Sequence, residues 1–201
     1  MVGLRERKKQ RTRQALIDAA LRLFDEKGFE ETTLAEIATQ AEVSTRTFFS
    51  YFASKEDVAF YDSEDRVRLA IETLASRTPG ETVSDLLVRV IDSSIDRMIV
   101  RQAPTFEDAA LRMRLILTEP ALQARALLLL FESQLRLAKA LHAAFPDRLT
   151  PVESAAAVGS LIGGVKLAVM VGLEEDRSLD DILRSARRAA EIALDGLRSL
   201  G

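Results

Sequence analysis

The chain has 201 residues, 47% hydrophobic and 29% charged, with a net charge of −3. That is the balance of a globular protein long enough to bury a substantial core. It has no cysteine and a single histidine, His142, which excludes disulfides, thiolate sites and His-cluster metal centres, so neither metal nor cofactor is expected. Ala, Leu, Glu and Arg are plentiful and aromatics few, a mix that favours helix and predicts an all-α fold.

The charge is unevenly spread. Arg5, Arg7, Lys8, Lys9, Arg11 and Arg13 are opposed only by Glu6, so residues 1–13 carry +5 and the remainder −8. A basic tip on an acidic body binds a polyanion through the tip. The charged start lacks the apolar run of a secretory signal, which predicts a cytoplasmic protein.

The spacing predicts about nine helices. The first covers 4–27, with Leu16, Ala19, Ala20, Leu23 and Phe24 on one face and Gly28 as its end. Thr33 and Glu36 fit a capping box opening a second helix. Ala41-Glu42-Val43-Ser44 is a turn, and Ser44 caps a short helix over 45–51. Ser54 caps a helix predicted to run to 76, ahead of the Pro79-Gly80 break. Helices over 81–101 and 105–117 follow. In the next, 119–144, the unbroken apolar run 126–131 predicts burial in the middle of a bundle. The last two cover 150–173 and 178 onward. The former is apolar, but its longest uncharged run is 154–165, shorter than the ~20 residues a bilayer span needs, so no membrane partner is expected.

A cationic arm ahead of a helix-turn-helix is a DNA-binding arrangement. The second helix of such a motif enters the major groove by its first residues, here Ser44, Thr45, Arg46 and Thr47. Arg46 can fork onto guanine O6 and N7, and the threonines can meet thymine. Ser50 and Tyr51 suit phosphates, as do Thr33 and Lys55 at helix starts. Thr33, Ser44 and Ser54 serve equally as caps. Phe48, Phe49 and Phe52 read as core.

Residues 11–58 resemble the DNA-binding domain of the tetracycline-repressor (TetR) family of bacterial regulators. The resemblance is carried by Ala15, Ala19, Phe24, Gly28, Thr32-Thr33, Ile37-Ala38, Ala41, Val43-Ser44, Thr47, Tyr51-Phe52, Ser54-Lys55-Glu56 and Val58. There are two departures. Glu42 stands where the family usually has Gly in the turn, which requires backbone near the left-handed region. Phe49 stands where a Tyr often touches a phosphate. The Thr-Phe-Phe-x-Tyr-Phe variant is similar to an actinobacterial subgroup, some of whose members respond to acyl-CoA-like ligands.

The resemblance implies a DNA-binding domain over 1–53, with the basic arm 1–13, and a helical ligand-binding and dimerisation domain over 54–201. It further implies a homodimeric repressor that releases a palindromic operator when a small, largely apolar effector binds. The alternative is a DNA-bound structural or cell-division factor of the same fold without an effector. An enzyme is not expected, since no nucleophile motif or phosphate loop is present.

Candidate pocket residues are Phe60, Tyr61, Met98, Phe106, Met113, Phe131 and Phe145, each equally suited to plain core. Arg112, Arg114 and Arg125 suit either an anionic head group or an exposed helix face, and His142 suits an exposed face. For the dimer, Gly159 and Gly163 lie one turn apart and admit a second helix, beside the stripe of Leu179, Ile182, Ala186, Ala190, Ala193 and Leu197.

Overall fold

The computed structural model describes the backbone of residues 3–100 and 106–197, and the side chains of these except 95–110, 179 and 197. Ten helices occupy it: α1 Leu4–Lys27, α2 Leu34–Gln40, α3 Thr45–Phe49, α4 Lys55–Ala59, α5 Ser63–Ala75, α6 Val83–Val100, α7 Phe106–Thr118, α8 Pro120–Ala144, α9 Pro151–Glu174 and α10 Leu179–Leu197. The described residues include no strand.

The tenth helix arises because the single helix expected over 54–76 is two. After α4 the amides of Phe60 and Tyr61 turn back to the carbonyls of Asp57 and Val58, three residues behind, and α5 restarts with Arg66 N–H on the Asp62 carbonyl. The carbonyls set free at the break are taken by arginines. Arg112 Nε donates to the Ala59 oxygen at 2.9 Å, and Arg13 donates to that of Tyr61.

The chain divides into two compact units. One is Met1–Tyr61 with Glu107–Ala126, the other Asp62–Phe106 with Leu127–Gly201. The first is built on the apolar face of α1. Leu16, Ala20 and Phe24 pack with Phe29, Ile37, Phe48, Phe52, Val58, Leu115 and Leu122. Phe24 and Phe29 meet with ring centroids 5.0 Å apart, across the turn that Gly28 makes at φ +88°.

The second unit's core joins Ala70 and Leu74 of α5, Leu86 and Leu87 of α6, Ala138, Leu141 and Phe145 of α8, Ala157, Val158 and Leu161 of α9, and Ala190 and Leu194 of α10. Thr150 and Glu153 close a capping box that starts α9. By length and composition α9 is apolar enough to cross a membrane. One side of it is covered lengthwise by α10.

Two sequence expectations are corrected here. Ile182, Ala186 and Ala190 are buried within the chain, Ile182 to 3% exposure. The α10 stripe therefore packs on its own core and is not left for a partner. Within the chain, the close approach of α10 to α9 is at Gly172, where a Cβ would lie 2.8 Å from Ile182 Cγ1. A Cβ on Gly159 or Gly163 would meet nothing within 4 Å. The apolar run of α8 is not enclosed either, since Leu127, Leu128 and Phe131 are exposed. Leu197 lies outside the described side chains.

Gly172→Ala should therefore cost ~1–3 kcal/mol by overpacking against a β-branched neighbour. Gly163→Ala meets nothing within the chain and should carry no such intrachain cost. Urea unfolding of the two variants checks the contrast, and equal stabilities would displace the α9–α10 approach from Gly172.

Candidate nucleic-acid interface

Three short helices and two turns hold the reading segment. At α2 the capping box forms as the sequence expects. The Thr33 amide donates to Glu36 Oε2 at 2.9 Å, the Thr33 hydroxyl donates to the same oxygen at 2.7 Å, and the Glu36 amide donates back to Thr33 Oγ1 at 3.3 Å. Lys27 reaches the other carboxylate oxygen at 2.6 Å. The Lys27 hydrogen bond first, then those of Thr33, hold the Glu36 carboxyl down to about 2. This places a carboxylate where Thr33 was expected to meet a phosphate.

Glu42 takes the left-handed conformation that the turn demands, with φ 54°. Val43 N–H then closes on the Ala38 carbonyl at 2.9 Å, and Ser44 starts α3. Its Oγ accepts the Thr47 amide at 3.1 Å and shares a proton with Thr47 Oγ1 at 2.9 Å. Ser50 Oγ donates to the Thr47 carbonyl at 2.6 Å. Ser44, Thr45, Arg46 and Ser50 are exposed, while Thr47 and Tyr51 are half-buried. Tyr51 packs against the first unit's core. Arg46 has no hydrogen bond or ion pair among the described residues.

Phe49 departs from expectation. Phe48 and Phe52 are buried, but Phe49 is 55% exposed, edge-on to Phe48 with ring centroids 5.7 Å apart. It lies four residues after Thr45, on the same helix face. That spacing was the available signal, and the triple-aromatic pattern obscured it.

Lys55 also has a different role. Its ammonium donates to the carbonyls of Phe29 at 2.7 Å, Glu30 at 3.2 Å and Thr32 at 3.1 Å, and it lies 4.3 Å from the Phe29 ring centroid. An ammonium has three N–H donors, and all three are engaged, so Lys55 pins α4 to the α1–α2 turn and has no donor left for a phosphate. Arg13 is similarly committed to Tyr61. Arg5, Arg7, Lys8, Lys9 and Arg11 are exposed along the first turns of α1.

Among the described side chains, the expected pocket residues do not share one core. Phe60 is half-buried against the first unit's core, and Phe145 is buried in the second's. Met113 is half-buried, Phe131 is exposed, and Met98 and Phe106 lie outside the described side chains. Arg112 is 7% exposed, stacked 4.6 Å from the Tyr61 ring centroid. Arg125 pairs with Asp57 at 2.9 Å. Both fasten α4; neither waits for a ligand. His142 is half-buried, with Nδ1 2.7 Å from the Leu149 carbonyl.

Residues 16–61 match the family model described as bacterial regulatory proteins, tetR family. The HTH-type transcriptional regulator TcmR of Streptomyces glaucescens is 47% identical over 79 residues, 39% of this chain and 35% of that protein. The match thus spans about a third of that relative's length. FadR from Bacillus subtilis, solved in complex with stearoyl-CoA, superposes with a TM-score of 0.63 at 20% identity, covering 91% of this chain and 98% of that one. SmeT, the repressor of the Stenotrophomonas maltophilia efflux pump SmeDEF, gives 0.62 at 22% identity over 92% and 89%. At these identities the structures speak for the fold, which is therefore that of TetR regulators along most of the chain.

The Glu36 cap carries a pH dependence. A carboxyl depressed from 4.5 to about 2 in the folded state lends its full stabilisation above pH 4.5, and loses it as pH falls through the folded value. The stability difference between wild type and Glu36→Gln should be constant from neutral pH to about 5 and shrink steadily below it. Thermal melts across that range test this, and a difference that persists at pH 2 would remove the carboxylate from the cap.

Proposed function

We propose that this chain, which belongs to the TetR family through residues 16–61, is a ligand-responsive transcriptional repressor. A homodimer reads a palindromic operator in double-stranded DNA and lets go when a small, largely apolar effector binds. The reading rests on one observation: Thr45, Arg46 and Phe49 form an exposed edge at the start of α3, and Arg46 is uncommitted there. Phe49 offers an apolar ring, suited to a thymine methyl, where the family often presents a hydroxyl. The exposed cations of α1 supply the sequence-independent attraction to phosphates.

We assign reading to 1–53 and effector binding and dimerisation to 54–201, with residues 55–61 and 107–126 packed as a brace on the reading unit. The stearoyl-CoA bound by FadR favours an acyl-chain-like effector here. Operator and effector then oppose each other reciprocally. Such a protein works beside DNA in the cytoplasm.

A second copy is the natural cover for the open face of α9. Val152, Leu167 and Val171 are exposed there, as is Ile192 of α10, and Gly159 and Gly163 leave room for a close helix. This moves the dimer contact from the α10 stripe to the outer side of α9.

Arg46→Ala should lose about 1–3 kcal/mol of operator affinity and relax the preference at one position in each half-site. Fluorescence anisotropy with a selected operator and its single-base variants measures both; unchanged affinity and preference would take α3 out of the groove. Leu167 is 61% exposed, so Leu167→Glu should fold normally, sediment as a monomer and bind the operator weakly. A variant that stays dimeric would put the interface elsewhere.

A further inference from the structure

α3 ends in two adjacent phenylalanines with opposite surroundings. Phe48 is fully buried, and Phe49 is 55% exposed. The rings meet edge to face, with centroids 5.7 Å apart and planes at 87°. The buried ring thus supports the open one from behind, in an arrangement that aromatic pairs favour. Both ends of α3 are tied as well. Ser44 Oγ accepts the Thr47 amide at 3.1 Å, and Ser50 Oγ donates to the Thr47 carbonyl at 2.6 Å. An aromatic side chain has only two torsions, so a ring held in this way loses little freedom when it meets a partner.

A helix advances about 100° per residue, so Thr45, Arg46 and Phe49 share a face roughly 100° wide. All three are exposed, whereas Phe48 is buried and Thr47 half-buried. The face therefore offers a cation and an apolar ring side by side. It belongs to the unit whose α1 carries the exposed cations Arg5, Arg7, Lys8, Lys9 and Arg11. That charge selects a polyanion as the occupant. The ring then selects within it. A phenyl group has no donor for a phosphate oxygen and none for a base edge. The apolar group that base edges present in the major groove is the C5-methyl of thymine.

We propose that Phe49 is a specificity-determining residue that reads the 5-methyl group of a pyrimidine in each operator half-site. The inference rests on the DNA reading above and deepens it: base choice at that position is made by a methyl group and not by a hydrogen bond. Thymine satisfies the ring because it carries the methyl. 5-Methylcytosine carries the same group on the same ring carbon, so binding at that position responds to cytosine methylation.

The test uses the full chain and an operator duplex enriched from a random pool, with affinity read by fluorescence anisotropy. Each thymine is replaced in turn by deoxyuridine, which removes the methyl and leaves every hydrogen-bonding group in place. Wild type should lose about threefold to tenfold in affinity at a position in each half-site, the scale of one buried methyl. With a cytosine·guanine pair at that position, 5-methylation of the cytosine should raise affinity by a similar factor. Phe49→Ala should bind the thymine and deoxyuridine duplexes equally there, and Phe49→Leu should keep a preference for the methyl. Because the methyl is removed from the DNA, the wild-type result does not depend on a variant folding. Sequence-specific binding by wild type with no position sensitive to deoxyuridine overturns the proposal and leaves the DNA reading intact. A methyl preference that survives in Phe49→Ala overturns it too, and its loss in Thr45→Ser would move the methyl reader to Thr45. Failure to enrich any sequence removes the DNA reading itself, and this proposal with it.

Discussion

Very short helices cannot stand by themselves, and three of them carry the proposed DNA-reading segment. α2, α3 and α4 have 7, 5 and 5 residues, against the roughly 12–15 that an isolated helix needs to be even marginal in water. Their free amides and carbonyls outnumber their internal bonds, so partners have to come from side chains. The amide ends are met by the hydroxyls of Thr33, Ser44 and Ser54. Carbonyls of α4 and of the turns beside the short helices are met by cations: Arg112 on Ala59, Arg13 on Tyr61 just after α4 and Lys55 on the α1–α2 turn. The unit is thus fastened as much by charged donors on carbonyls as by its apolar core, and Arg112 reaches it from a helix more than forty residues further along the chain. The angle at which α3 presents Arg46 follows from these ties, because α3 has too few residues to set its own direction.

That construction explains what the sequence made legible. Local devices were readable: the Thr33 and Glu36 pair, Ser44 three residues before Thr47, Thr150 ahead of Pro151 and Glu153, and the left-handed turn that Glu42 completes. Each is decided by atoms within four residues. The unreadable features depend on distant partners. Nothing between 54 and 76 announces a break, because its cause lies in arginines at 13 and 112 that take the released carbonyls. Lys55 looked like a phosphate contact because it opens a helix beside a binding motif. Its carbonyl partners are 23 to 26 residues back.

Amphipathic stripes have the same limit. Periodicity says that a face is covered, not by what. The α10 stripe is covered by its own chain, and the glycine that admits it is Gly172, outside the Gly159 and Gly163 pair that drew attention by its spacing. The apolar run of α8 shows the converse. A run apolar on every side is buried only if neighbours exist on every side, and the second unit's core does not extend that far. Uncovered apolar surface on α8 and on the outer side of α9 has two different meanings. Phe131 and Leu127 continue the core-facing stripe of α8 past the end of the second unit's core. Leu167 and Val171 continue an outward stripe beside open glycines.

The charge layout limits where a phosphate backbone could be met in the proposed reading. The N-terminus of α2 carries favourable dipole charge in principle, but Glu36 already occupies it, locked by Lys27 and Thr33. A phosphate brought there would face a carboxylate that stays ionised down to about pH 2. Lys55 and Arg13 have given their donors to carbonyls. Positive charge free to meet a phosphate near the reading helix therefore comes from Arg5, Arg7, Lys8, Lys9 and Arg11, which are helical and not a loose arm. Arg5, Lys8 and Lys9 share one side of α1, and Arg7 and Arg11 the other. A rigid rod charged on two sides loses little conformational entropy on binding and fixes its distance to α3 through the α1 core residues Leu16, Ala20 and Phe24. In the proposed reading, affinity from α1 and base choice from Arg46 and Phe49 would be set by one continuous packed element, and the spacing between phosphate and base contacts would be built into the fold.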